Sequence, residues 1–298
     1  MRELDNCKIC PRNCGVNRNK GNIGFCSAGN KIKMARYSLH YWEEPCISGE
    51  NGSGTIFFSH CNLKCIYCQN YDISTKNSGK EINIERFTEI CLELQRMGAL
   101  NINLVTPTHF IPLIKEGLIK AKEKGLSIPI VYNSSGYENV ESLKLLDGLI
   151  DIYLPDLKYY DDNLAINFSN AKNYFNTAIL AIDEMYRQVG YPIFDKGIMK
   201  KGLIVRHLLL PGHSDDSKII VKYLYDKYKD NIFISLMNQY TPVRKIDNYK
   251  ELNDIVSDNE YNDLINYACD LGITNAFIQE GETQKESFIP DFNNFEKI

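Results

Sequence analysis

The chain has 298 residues, 44% hydrophobic and 24% charged, with a net charge of −4. That length supplies a barrel-sized core plus an appendage, and the acidic balance argues against a general nucleic-acid binder. No apolar run reaches membrane-spanning length, the first residues lack the apolar core of a signal peptide, and ten cysteines without such a signal fit a reducing cytoplasm where thiolates serve metal.

Residues 1–50 are expected to form a small cysteine-rich, metal-binding extension. Cys7, Cys10, Cys14 and Cys26 are spaced C-x2-C-x3-C-x11-C, with Pro11, Gly15, Gly21 and Gly24 among them. Four thiolates close a tetrahedral zinc site or hold a second iron–sulfur cluster, and the spacing does not separate the two. Glycine and proline allow tight knuckles whose backbone N–H groups reach the sulfurs. So short and apolar-poor a segment needs a staple, which makes a structural metal the first reading and an auxiliary electron-transfer cluster the second. Cys46 reads as a free loop thiol, and residues 40–45, with the sole tryptophan Trp42, as packing against the next unit.

From residue 51 strands alternate with helices. The predicted strands are 55–59, 101–106, 129–132, 150–154, 203–210 and 232–237, with a weak one at 274–278. Helices are predicted over 83–97, 112–124, 138–146, 172–189, 216–229 and 259–271. In the first helix Phe87, Ile90, Cys91 and Leu94 fall on one face, and Gly98 sits where a C-cap belongs. Such alternation predicts a parallel sheet with right-handed crossovers, an α/β partial (β/α)6 barrel over 51–280. Residues 281–298 read as a polar tail.

The first strand runs into Cys61, Cys65 and Cys68, spaced C-x3-C-x2-C. Three thiolates hold three corners of a [4Fe–4S] cubane and leave one iron open to a small molecule. Tyr67 supplies a flat ring beside them. The other readings are a zinc site with His60 as fourth ligand, or buried thiols. In parallel α/β folds chemistry gathers where strands end, and these strands end in Thr106 and Thr108, Ser134 and Ser135, Asp156 and Lys158, and a segment carrying Arg206. Residues two apart share a strand face, so Asp156 and Lys158 point the same way and His207 points opposite to Arg206.

Several motifs then converge: Cys-Ile-Cys-Pro-Arg-Asn-Cys-Gly from position 7, Leu-His-Tyr-Trp-Glu-Glu-Pro from 39, Cys-Gln-Asn from 68, Val-Thr-Pro-Thr-His-Phe from 105 and Arg-His-Leu-Leu-Leu-Pro-Gly from 206. Together they resemble the pyruvate formate-lyase activating enzyme-like branch of the radical S-adenosylmethionine (SAM) proteins. The resemblance implies that Cys61, Cys65 and Cys68 ligate a [4Fe–4S] cluster whose open iron chelates SAM. It implies that Tyr67 lies near the adenine, that Asp156, Lys158 and Arg206 line the SAM site, and that Ser134 and Ser135 stand where the family has a SAM-contacting turn. It implies reductive cleavage of SAM to a 5′-deoxyadenosyl radical that abstracts hydrogen, an electron donor such as flavodoxin or ferredoxin, and a glycyl-radical protein or a small molecule as target. A non-enzymatic iron–sulfur carrier is the rival from another class. Two departures stand out. Many radical SAM enzymes carry Gly-Gly-Glu at the end of the second strand, where this chain has Thr106-Pro107-Thr108, so hydroxyls are expected to take over that job. The ferredoxin-like cysteine insert of many glycyl-radical activases is absent, and the extra cysteines are N-terminal.

Overall fold

The computed structural model describes residues 1–279 and Phe292; apart from Phe292, the predicted tail lies outside the described residues. The strands are β1 (Ile32–His40), β2 (Ser53–Phe58), β3 (Lys80–Ile82), β4 (Ile102–Val105), β5 (Ile130–Ser134), β6 (Ile152–Pro155), β7 (Ile193–Asp195), β8 (Ile198–Leu208), β9 (Phe233–Met237) and β10 (Ala276–Ile278). The helices are α1 (Pro45–Ser48), α2 (Tyr71–Ser74), α3 (Ile84–Arg96), α4 (Ile111–Glu123), α5 (Val140–Lys144), α6 (Asp162–Ser169), α7 (Tyr174–Val189), α8 (Ser214–Tyr228) and α9 (Asp258–Asp270).

The sheet runs β10-β9-β8-β6-β5-β4-β2-β1-β3. From β2 to β10 every neighbouring pair is parallel, while β1 and β3 are added antiparallel beyond β2. Among the described residues the two ends of this order do not pair, which is the open arrangement of a partial barrel. The central strands are buried end to end, as strands covered on both faces must be.

Residues alternate between two cores. Ile130, Tyr132, Tyr153, Leu203 and Val205 pack outward against the helices. Val131, Ile152, Leu154 and Ile204 point inward and meet Cys46 and Ile47. The short helix α1 therefore plugs the barrel, and Ile47 is fully buried there, a burial that contributes roughly 1.5–3 kcal/mol. The Asn83 side chain caps α3 by accepting from the Arg86 N–H at 2.8 Å, and α3 presents Phe87, Ile90, Cys91 and Leu94 to the core. Gly54 is required where β2 passes the turn before β4, because a Cβ there would stand 2.8 Å from the Asn101 carbonyl oxygen.

Four features depart from the expectation. Tyr41 and Trp42, expected to pack against the barrel, are both exposed. Residues 32–40 form a nine-residue strand in the sheet; their alternation of basic and apolar residues is that of a strand near the sheet edge. β8 begins earlier than read, extended by a hairpin with β7. Cys46 is a free thiol, but it is buried in α1 rather than lying in a loop.

Candidate active site

The loop after β2 is tied down at both ends and in its middle. Ser59 N–H donates to Lys33 O at 2.9 Å, His60 N–H to Ile73 O at 2.8 Å and Ile66 N–H to Phe168 O at 2.8 Å. The buried Asn62 amide donates to Tyr137 O at 2.8 Å, and Arg244 Nε donates to Ile66 O at 2.7 Å. His60 and Lys64 hold φ values of 76° and 58°. Strain in non-glycine residues persists where the surroundings over-determine the backbone, and it gathers at functional sites.

Each of the three loop sulfurs accepts a hydrogen bond. Cys61 Sγ accepts from Leu63 N–H at 3.3 Å, Cys65 Sγ from Ser169 Oγ at 2.9 Å and Cys68 Sγ from Ser74 Oγ at 3.5 Å. Burial pushes all three thiols up, while these donors and the Lys158 cation pull toward thiolate. Donors aimed at sulfur are what a metal–thiolate centre needs. Among the described residues, no three His, Cys, Asp or Glu side chains stand at the separations of a single-ion site.

Under the loop lies a cavity of about 350 Å³, lined from Cys65, Tyr67 and Cys68 down to Asp156, Lys158 and Arg206, with Glu43 and Glu44 at its floor. Lys158 Nζ meets Asp156 Oδ2 at 2.6 Å and Arg206 Nε meets Asp156 Oδ1 at 3.0 Å. Arg206 also donates to Asn133 Oδ1 at 2.6 Å and pairs with Glu43 Oε2 at 3.3 Å. Burial by itself would raise Asp156, yet Lys158 and Arg206 hold its carboxyl below the usual range. Burial raises Glu43 and Glu44 against the pull of Arg206.

The family model of the Radical SAM superfamily matches residues 55–224, more than half of the chain. The chain belongs to the radical SAM superfamily. An uncharacterized protein of Methanocaldococcus jannaschii, MJ0674, is 33% identical over 261 residues, covering 83% of this chain and 70% of its own length. The pyruvate formate-lyase-activating enzyme of Staphylococcus aureus is 21% identical over 200 residues, 63% of this chain and 74% of that enzyme. Among solved structures, Streptococcus suis SuiB bound to S-adenosylmethionine shares the fold with a TM-score of 0.52 at 14% identity, over 74% of this chain. The chain spans 48% of SuiB's length.

As a radical SAM protein the chain uses a [4Fe–4S] cluster and SAM. The structure gathers Cys65, Cys68, Tyr67, Asp156, Lys158 and Arg206 around one cavity. Thr106, Thr108, Ser134 and Ser135 are not among the residues that line it. Strand parity turns Asn133 inward and Ser134 outward, and Thr108 Oγ1 donates to the buried Glu138 Oε1 at 2.6 Å. Thr106 sits at the end of β4 with φ 60°, a left-handed conformation costly for a β-branched residue, and its N–H donates to Asn133 O at 2.9 Å. Ser135 shares the parity of Asn133, and its hydroxyl is buried without a partner among the described residues.

The sequence reading missed the supporting residues. Tyr67 OH meets Tyr159 OH at 2.5 Å, Tyr159 OH meets Ser169 Oγ at 2.6 Å, and Ser169 donates to Cys65. Tyr159 and Ser169 are ordinary core residues in sequence, and no spacing marks them. Glu43 was visible only as part of a motif. Cys7, Cys10, Cys14 and Cys26 lie around a separate, smaller void.

Proposed function

We propose that this radical SAM enzyme abstracts hydrogen from a substrate held in the cavity below the Cys61–Cys65–Cys68 loop, and that a glycyl-radical protein is the favoured substrate class. When bound, the cluster and SAM supply one-electron reductive cleavage of SAM and the hydrogen-abstracting species. The carrying observation is one cavity that joins two of the three loop thiols to Asp156, Lys158 and Arg206. Cys61, Cys65 and Cys68 would ligate the cluster, with hydrogen bonds to each sulfur. Lys158 would meet the SAM carboxylate, Asp156 would hold Lys158 in place, and Tyr67 would flank the adenine. The plug from α1 and the outward-packed helices exclude water from the reacting atoms. The similarity to the Staphylococcus activating enzyme supports the glycyl-radical substrate. Residues 1–50, 51–280 and 281–298 are proposed as extension, catalytic barrel and tail. A small-molecule substrate is the second reading, favoured by the buried carboxyls on the cavity floor, which would bind hydrogen-bond donors.

The test is anaerobic incubation of the reconstituted protein with SAM, dithionite and a polypeptide carrying a glycyl-radical sequence. The reading predicts 5′-deoxyadenosine and a glycyl-radical resonance on the polypeptide. 5′-Deoxyadenosine without that resonance moves the assignment to another substrate.

A further inference from the structure

One carboxyl on the cavity floor stands outside the charge network around Arg206. Glu44 lines the cavity and is only 8% exposed. Its Oε2 is buried without a hydrogen-bond partner among the described residues. Burial pushes this carboxyl up, against the pull of the Arg206 charge and a hydrogen bond from Ser235. A buried carboxylate oxygen left unpaired is costly, and a donor brought into the cavity removes that cost.

The protein's own cations on the lining are engaged elsewhere. Lys158 Nζ is held by Asp156. Arg206 is divided among Asp156, Glu43 and Asn133. Among the described residues Glu44 forms no ion pair. His40 also lines the cavity, but burial and the Arg36 charge hold its imidazole below the usual range, so it stays uncharged at neutral pH. A cation for Glu44 therefore has to come from a bound molecule.

Strand register tells which half of the cavity Glu44 serves. Asp156 bridges to Arg206, Arg206 pairs with Ser235, and Ser235 with Phe277. These residues form one row across β6, β8, β9 and β10. Lys158, just past β6, acts on all three loop thiols, so the thiol end of the cavity lies toward β6. Glu44 meets Ser235 instead, and α1, which follows it directly, packs with Phe233 and Phe277. Around Ser235 the lining is apolar, from Leu208, Met237, Phe277 and Ile278. A single carboxyl beside an apolar wall matches a cationic nitrogen carried on an aliphatic stem.

We propose that Glu44 is a specificity-determining residue that binds a protonated amine on an aliphatic stem, presented by the molecule from which hydrogen is abstracted. The link to hydrogen abstraction rests on the radical SAM reading of this cavity; the binding itself does not. A lysine side chain of a polypeptide and a free alkylamine share this chemistry.

The experiment uses the full chain, reconstituted anaerobically with iron and sulfide and left unreduced, with and without saturating SAM, so that no turnover intervenes. n-Butylammonium, 1-butanol and acetyl-lysine amide are titrated against the fluorescence of Trp42, the sole tryptophan, which lines the cavity. Wild type is expected to bind n-butylammonium about tenfold more tightly than 1-butanol, and Glu44→Gln, with folding checked by circular dichroism, to lose that preference. Tighter binding of acetyl-lysine amide than of n-butylammonium supports a polypeptide as the source of the amine, and the reverse supports a free alkylamine. Equal affinity of wild type for n-butylammonium and 1-butanol overturns the proposal, and this comparison needs no variant. A preference kept by folded Glu44→Gln also overturns it. Loss of n-butylammonium binding when SAM is added gives Glu44 to the cofactor and overturns it as well. Failure of wild type to form 5′-deoxyadenosine with dithionite strikes the radical SAM reading instead, and the amine preference still decides what Glu44 binds.

Discussion

Glu43 Oε2 stands 3.3 Å from Arg206 Nη1, tying the segment that plugs the barrel to the strand that carries a cavity-facing cation. The same carboxyl accepts from Asn103 Nδ2 at 3.0 Å. The floor of the site and its charge network are therefore one unit. Glu43→Ala removes one of the two carboxylates on Arg206 and leaves Asp156. The expected loss is roughly 1.5–3 kcal/mol, read by chemical denaturation, together with weaker SAM binding. Glu43→Gln keeps the shape and the Asn103 contact and should lose less. Equal stability in Glu43→Ala and wild type would show that Asp156 and Asn133 hold Arg206 without Glu43.

Lys158 tests the cofactor pocket. Lys158 and Asp156 are paired at 2.6 Å, with only 14% and 13% of their side chains exposed. Lys158→Met leaves every candidate cluster ligand untouched, so about four irons should still assemble at the main site. Asp156 retains Arg206, which limits the cost of the lost partner. SAM should perturb the reduced cluster's paramagnetic spectrum less, and cleavage should fall. Wild-type affinity and cleavage would reduce the pair to a strand-end ion pair.

Much of this site was legible in sequence. The C-x3-C-x2-C spacing fixed the loop, and period-two parity put Asp156 and Lys158 on one face because a strand admits only two choices. The parallel barrel followed from alternating apolar strands and amphipathic helices. What escaped were relationships between distant segments. β1 was hidden because Lys33 and Arg36 interrupt its apolar pattern. Thr108 and Ser134 looked like cavity hydroxyls, yet both are turned toward Glu138, whose burial no local pattern announces. Tyr159 and Ser169 reach Cys65 only once α6 is folded over the loop.

Glu138 carries a pH dependence. Burial pushes its carboxyl from the ordinary 4.5 up to about 7, against the donors Thr108, Ser134 and Tyr132. The folded protein therefore holds this proton more tightly than the unfolded chain. That stabilisation is full below pH 4.5 and is lost as pH rises through about 7, a change on the order of 3 kcal/mol. Glu138→Gln cannot ionise, so its unfolding free energy should show a flatter slope over that window. A slope identical to wild type would mean that Glu138 is ionised throughout.

Ser169 should tune the cluster. Its hydroxyl donates to Cys65 Sγ at 2.9 Å, and hydrogen bonds to cluster sulfurs are among the levers that set potential. Removing a donor destabilises the more negative, reduced form. Ser169→Ala should shift the main cluster's midpoint potential downward, measured by redox titration followed by paramagnetic resonance. An unchanged potential would assign the contact a packing role.

The central claim is that Cys61, Cys65 and Cys68 hold the centre at which SAM is reductively cleaved. The most direct measurement is 5′-deoxyadenosine formed under anaerobic dithionite by wild type and by the triple variant Cys61→Ala, Cys65→Ala, Cys68→Ala, with folding checked by circular dichroism. The account predicts 5′-deoxyadenosine from wild type and none from the folded triple variant; 5′-deoxyadenosine from that variant at the wild-type rate would contradict it.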